Sequence, residues 1–238
     1  DGTKELLGGR SPSLKNLLIQ EKNLLTFIEE LAKLRGAALK VGQLLSLEAS
    51  DFLPEQFTQM LGDLRNKNFR MPNYQLGEVL RETYGDNFLA IFSGFDETPI
   101  AAASIGQVHK CRYGDQDLIL KIQYPKIRES IESDITNIRL LTKNIGILPK
   151  SFDFEKLLEA GKKQLLNETD YCLEAKHQKT FYQLLKTDKK FSVPIVNENL
   201  TTTKILAMEY KEGITIDQVA HLDQKTKNSI VNSLVQLA

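Results

Sequence analysis

A chain of 238 residues with 41% hydrophobic side chains can bury a substantial core, as one large domain or two small ones. Its 31 basic and 31 acidic residues cancel, so no overall field draws it to nucleic acid, and no local basic patch stands in for one. No apolar run approaches the ~20 residues of a membrane span, and Cys111 and Cys172, far apart and without metal-type spacing, fit reduced thiols of a cytosolic or matrix compartment. The chain opens on Asp1 without a signal-peptide pattern and stops at Ala238 inside an apolar helical pattern, which reads as trimming at both ends.

Residues 1–13, with Gly2, Gly8, Gly9 and Pro12, are expected to form a flexible segment. From Leu14 onward Leu17, Leu18, Leu24, Leu25, Ile28, Leu31, Leu39 and Leu45 recur at helical spacing, so residues 14–86 are expected to be a helical extension. Inside it Gly36, Ala37, Ala38 and Gly42 cost helix stability and suggest the close approach of another surface. Lys40 and Gln43, three apart, share one face. They read either as solvated residues of a tightly packed helix or as groups presented to a partner. Pro54 and Pro72 begin shorter helices, the second carrying Leu76, Val79, Leu80 and Tyr84 before Gly85 stops it.

The pattern then shifts to period 2. Antiparallel strands are expected over 88–95, 108–113 and 118–123, with the small-residue stretch Ala101-Ala102-Ala103-Ser104-Ile105-Gly106-Gln107-Val108-His109 as a loop after the first and Gly114-Asp115-Gln116 as the next turn. Small residues between strands usually make an ordinary hairpin, and a strand lysine usually sits in water. A small-residue loop followed one strand later by a lysine, here Lys121, is also how a nucleotide-phosphate cradle is built. Pro125 ends the third strand, and Ile127, Ile131, Ile135, Ile138 and Leu141 mark a helix closed by Gly146 and Pro149. A further helix begins near Ser151-Phe152-Asp153 and is expected to run without interruption to Glu168-Thr169-Asp170-Tyr171-Cys172-Leu173-Glu174-Ala175. On a straight helix Asp170 and Glu174 share a face, whereas Glu168 and Glu174 point about 120° apart. The acids read either as a surface run or as groups addressing two partners. Strands over 191–195 and 205–210 and an amphipathic helix from about Asp223 complete the chain.

Five strands, a small-residue loop after the first, a lysine on the third and a glutamate-bearing helix before the fourth follow the order of a protein-kinase N-lobe. Ile119, Lys121 and Gln123 share one face of their strand, so the lysine stem lies among apolar neighbours and its ammonium needs a carboxylate, for which Glu174 is the candidate. With these residues in view, the chain resembles the UbiB-like (AarF/ADCK) atypical kinases over about residues 33–220. Lys40-Val41-Gly42-Gln43 is similar to that family's KxGQ motif, Ala101 to His109 to its alanine-rich loop, Glu168-Thr169-Asp170 to its ExD motif, with Glu174-Ala175 following. The resemblance implies an α+β fold: a protein-kinase-like N-lobe over 87–212, made of a five-stranded antiparallel sheet plus helices with the ExD helix inserted. The helical extension would lie over the cleft, residues 213–238 would form the hinge exit and the start of a C-lobe, and the rest of that lobe would be absent from this chain.

The resemblance also implies ATP and Mg as cofactors and ATPase-like or kinase activity in ubiquinone biosynthesis. Its implied partners are quinone-pathway proteins or lipid-like small molecules and a peripheral membrane surface, in the cytoplasm or mitochondrial matrix. Carried over by residue, Lys121 binds phosphates and Glu174 orients it, while Lys40 and Gln43 enter the cleft with Glu168 and Asp170 as partners of the extension. Ala101, Ala102, Ala103, Ser104, Ile105, Gly106 and Gln107 surround the nucleotide, and Met208, Glu209 and Tyr210 form the hinge beside the adenine. Alanines where glycines would turn freely restrict positive φ, so the loop is expected to hold nucleotide in an altered way. His221 to Asn228 imitates a kinase catalytic loop but follows Glu209 too soon, and Asp223 reads instead as a helix N-cap. No metal-ligating residues are assigned within the chain, and without them this stretch alone is expected to be inactive. The alternatives are a nucleotide-sensing, lipid-associated scaffold without turnover and a helical adaptor without ligand. A downstream Asp-x-x-x-x-Asn and Asp-Phe-Gly would separate enzyme from scaffold.

Overall fold

The computed structural model describes residues 70–145 and 153–237 together with Glu29, Lys40, Val41, Gly42 and Leu44. Those five early residues are helical, as the extension predicts; residues 1–13, Gln43, the helix after Pro54 and the closing pair Gly146 and Pro149 lie outside the described residues. Helix α1 (Asn73–Tyr84) follows Pro72, ends at Gly85 with φ 85°, and buries Leu76, Val79 and Leu80.

The stretch expected as a first strand over 88–95 is mostly something else. Phe88–Ala90 forms a single 3-10 turn and only Gly94–Phe95 pairs, as β1. Phe88 and Phe92 are both buried while Ala90, which period 2 would bury with them, is exposed, so the aromatic anchors repeat at helical spacing rather than at period 2. Phe92 packs its ring 5.9 Å from both Tyr84 and Phe95. The alanines expected in a loop form a strand, β2 (Ala101–Ala103), paired with β3 (Gly106–Tyr113) through Ala101 opposite Val108. Only Ser104 and Ile105 make the tip. Strand β3 pairs with β4 (Gln116–Gln123), and β4 with β5 (Ile205–Glu209), all antiparallel. The sheet order is β1-β3-β4-β5, with β2 also beside β3. Residues 191–195 are not a strand: Pro194 has no amide to give a ladder, and the segment's bond to β5 is the Ile195 carbonyl, which accepts from Glu209 N–H at 2.8 Å, before Val196 bridges Met208. Five strands were expected and five are present, with β2 in place of the strand expected over 191–195 and the first strand cut to two residues.

Gly106 has no positive φ, nor does any alanine of β2, so backbone freedom is not what requires a glycine at 106. Its constraint is proximity. A Cβ at Gly106 would lie 2.2 Å from the Ile122 carbonyl oxygen of β4.

Alternation along β3 and β4 separates two faces. Gln107, His109 and Cys111 oppose Ile122, Leu120 and Leu118, and this face is buried beneath α1 and the Phe88–Phe92 turn. Its polar groups are paired in series. Met71 N–H donates to Gln107 Oε1 at 2.9 Å, Gln107 Nε2 lies 2.7 Å from His109 Nε2, and His109 Nδ1 lies 2.9 Å from the Asp96 carbonyl. Because an amide nitrogen only donates, Nε2 accepts and Nδ1–H donates to Asp96, which fixes one neutral tautomer. Burial holds the His109 pKa below the usual imidazole range.

Helix α2 (Ile127–Ile145) packs against α3 (Phe154–Glu168) through Ile131, Ile135 and Ile138 on one side and Leu157, Leu158 and Leu165 on the other, all buried. The Asp153 carboxylate caps α3 by accepting from Lys156 N–H. The expected uninterrupted helix is broken at Thr169 and Asp170, and α4 (Tyr171–Leu185) starts afresh. Four hydrogen bonds explain the break. The Asp170 carboxylate accepts from the Cys172 and Leu173 amides, the Thr169 hydroxyl donates back to the Leu166 carbonyl, and Tyr171 N–H donates to the Thr203 carbonyl. Helix α5 (Gln224–Leu237) begins after Asp223, whose carboxylate accepts from Thr226 N–H, the cap expected there.

Candidate functional site

The second face of the sheet carries Val108 and Lys110 on β3, Ile119 and Lys121 on β4, and Leu206 and Met208 on β5. Lys121 Nζ donates to both carboxylate oxygens of Glu174, at 2.7 and 2.8 Å, from the first turn of α4. The pair is only partly screened from water, with side-chain exposures of 23% and 37%. The break before α4 makes it possible: restarting the helix at Tyr171 sets a new direction, so Glu174 faces β4 while Glu168 ends the preceding helix. The two acids diverge because they belong to different helices, not because of twist along one. Gln123, two residues beyond Lys121 on the same face, locks this junction by donating to the carbonyls of Thr169 and Thr203, each at 3.0 Å.

Glu168 is held from two sides. Lys40 of the extension forms an ion pair with its Oε1, and Ser104 at the β2–β3 tip donates to Oε2 at 3.4 Å. The helix of Lys40 comes close to α3 at Gly161, where a Cβ would sit 3.1 Å from Leu44 Cδ1 and 3.7 Å from Val41. Lys40 is buried and paired with the partly exposed Glu168 carboxylate, as a charge removed from water must be paired. Gln43 lies outside the described residues. The Asp170 carboxylate caps α4 through the Cys172 and Leu173 amides.

The alanine-rich stretch divides. Ala101 and Ala102 are exposed, and Ser104 reaches Glu168, whereas Ile105 is buried in the core. Gln107 faces away from Lys121, in the His109 network, which removes it from the nucleotide-side set expected for it. At the other end, Tyr210 N–H donates to the Asp117 carbonyl at 3.0 Å and Glu209 N–H to Ile195. Two amides of the expected hinge are therefore spent within the protein, one on β4 and one on the segment beside β5. The Glu209 carboxylate is held below its usual range by Lys211, 2.6 Å away. The Lys110 ammonium lies 4.0 Å from the centroid of the Tyr210 ring. A groove of about 540 Å³ lined by Asp117, Ile195, Glu198, Glu209 and Tyr210 opens beside this end of the sheet.

Tyr171 and Gln123 were not singled out from sequence. Period-2 spacing from Lys121 points to Gln123 on the same face; Tyr171 gives no signal beyond being an aromatic residue directly after the acids. Its ring centroid lies 4.8 Å from Lys121 Nζ. Cys111 has its pKa pushed by burial up to about 12, which makes it an inert thiol. Among the described residues no group of three or more His, Cys, Asp or Glu could hold a metal ion, and no helix is long and apolar enough to cross a membrane.

The ABC1 atypical kinase-like domain matches residues 63–238. The chain is 37% identical over 237 residues to "Atypical kinase COQ8, mitochondrial" of Saccharomyces cerevisiae, covering 99% of this chain and 47% of that protein. It is likewise 37% identical to "Atypical kinase COQ8B, mitochondrial" of Danio rerio, covering 98% and 38%. Among solved structures, it is similar to Rv3197 of Mycobacterium tuberculosis in its complex with erythromycin, with a TM-score of 0.56, 29% identity, and coverage of 91% of this chain and 55% of that one. The chain thus spans less than half the length of these two curated relatives.

Proposed function

Since the chain belongs to the ABC1 atypical kinase-like family, we propose that it forms the nucleotide-holding lobe of an atypical kinase or ATPase that binds ATP and supports ubiquinone biosynthesis. The observation that carries this reading is the Lys121–Glu174 pair on a kinase-like sheet. A carboxylate that grips both sides of a lysine fixes the ammonium where the α- and β-phosphates of a nucleotide are neutralised. Val108, Ile119 and Met208, on the same face, pack against the base. Leu118 and Glu209 form a pair whose backbone groups point away from each other, so the Glu209 carbonyl is the group of the expected hinge that meets adenine.

ATP, when bound, supplies the phosphoryl group. The part of the described residues in this reading is to bind and orient the phosphates. Lys40 and Glu168 close one side of the cleft and occupy space a peptide would use, which favours a lipid-like small molecule of the quinone pathway and a peripheral membrane surface. The mitochondrial relatives support the matrix as the compartment. The test is ATP hydrolysis by the full-length protein. Lys121→Ala is expected to lower it at least about 100-fold while shifting stability by no more than about 1 kcal/mol, since the pair is half open to water. Equal rates in the two proteins would sink the assignment.

A further inference from the structure

Tyr171 is fully buried, yet its hydroxyl has no hydrogen-bond partner. Buried hydroxyls are paired as a rule, because an orphan forfeits its solvation without return. The rest of the residue is well used: its amide donates to the Thr203 carbonyl, and its ring faces the Lys121 ammonium at 4.8 Å. Burial, then the charges of Glu174 and Glu168, push the phenol well above its usual range, so it stays a protonated donor. A neutral donor without an acceptor, in the field of two carboxylates that already have lysine partners, is placed for a state other than the closed one.

We infer that Tyr171 is a positioning residue of the nucleotide site, its ring steadying the Lys121 ammonium and its hydroxyl kept in reserve to donate to Glu174 when Lys121 turns to a phosphate. The inference rests on the nucleotide-binding reading above. An ammonium has three N–H groups, and Lys121 spends its short bonds on the two Glu174 oxygens. A phosphate that draws the ammonium toward itself loosens part of that grip, and the half-buried carboxylate is left under-partnered. The Tyr171 hydroxyl replaces the lost hydrogen bond without adding charge, so Glu174 keeps its place and Lys121 remains tethered while it shifts. The orphan is tolerated in the closed state because it lowers the cost of the open one.

The test uses full-length protein in three forms, wild type, Tyr171→Phe and Tyr171→Leu, measuring the ligand-free Tm and equilibrium binding of ATP with Mg²⁺. For Tyr171→Phe, which keeps the ring, the expected result is a ligand-free Tm held or raised by about 2 °C together with affinity about tenfold weaker. Tyr171→Leu, which also loses the ring face, should bind more weakly still and melt lower. A merely structural tyrosine would lose stability and affinity together, and that outcome for Tyr171→Phe overturns the proposal. Unchanged affinity in Tyr171→Phe overturns it as well while leaving the nucleotide reading intact, whereas wild-type protein that binds no ATP overturns both.

Discussion

On one face of β3 and β4, Gln107 and His109 are sealed beneath α1 with donors and acceptors matched from Met71 to Asp96. On the other, residues of the same strands and the helices over them leave Lys121 partly open to water, and Tyr171 holds a hydroxyl with no partner. The closed network is neutral and tolerates no gap, whereas the open one is charged and keeps a vacancy. Complete pairing under burial fixes a structure; incomplete pairing beside exchangeable ion pairs leaves room for a ligand.

The strand contact that creates both faces is the point at which to break the comparison most severely. Gly106→Val would put side-chain carbons against the Ile122 backbone, where a Cβ alone already comes within 2.2 Å of the oxygen and 2.9 Å of the carbonyl carbon. Backbone cannot yield without parting β3 from β4, so a loss of about 3 kcal/mol or more is expected, together with loss of nucleotide binding. Chemical denaturation measures the first. A stable, binding-competent variant would show that the hairpin relaxes locally.

Acting on the sealed face alone should be costly but silent at the site. Gln107→Leu leaves the Met71 amide and His109 Nε2 unpaired under burial, at about 1–3 kcal/mol for each orphaned group. Denaturation should report that loss while ATP affinity of the folded protein stays within about twofold. A much weaker affinity would mean that the two faces are coupled through the strands. The same network responds to acid. The folded pKa of His109 lies below the unfolded value of 6.5 because of burial, so the unfolded chain takes up the proton more readily. This contribution to stability is present above about pH 6.5 and is lost as pH falls below it, at no more than about 1.4 kcal/mol per pH unit. Unfolding curves at pH 7.5, 6 and 5 check the direction, and a variant His109→Gln should lose that part of the slope.

The sealed face was the easier to read in sequence. Leu118, Leu120 and Ile122 alternate with Lys121 and its neighbours, and period 2 alone assigns them to opposite sides. Helix α1 was equally legible, because Pro72 and Gly85 bracket four apolar residues at helical spacing. The Lys121–Glu174 pairing followed from the need of a part-buried ammonium for a carboxylate. What stayed hidden depends on local bonds that no periodicity encodes. The break between α3 and α4 is made by the Thr169 and Asp170 side chains competing for backbone groups, in a stretch whose apolar spacing continues across it. The strand over 191–195 failed because a single proline outweighs Phe and Val propensity. The orphaned Tyr171 hydroxyl is a property of three-dimensional placement alone.

The gentlest change tests how the alanines act. Since β2 is extended and paired, with Ala102 opposite Gln107, its methyl groups do not work by barring positive φ. They restrict an already extended strand whose tip, through Ser104, touches the same Glu168 that Lys40 holds. Ala102→Gly removes that stiffness without removing a contact in the core, since Ala102 is exposed. The expected cost is about 0.5–1 kcal/mol from chain entropy, the smallest in this set. If the tip sets how nucleotide enters, ATP affinity, or the preference between ATP and ADP, should shift by a few-fold, because a looser hairpin releases Glu168 more readily. A loss of stability with both affinities unchanged would assign β2 to scaffolding and leave the ion pairs and Tyr171 to govern the cleft by themselves.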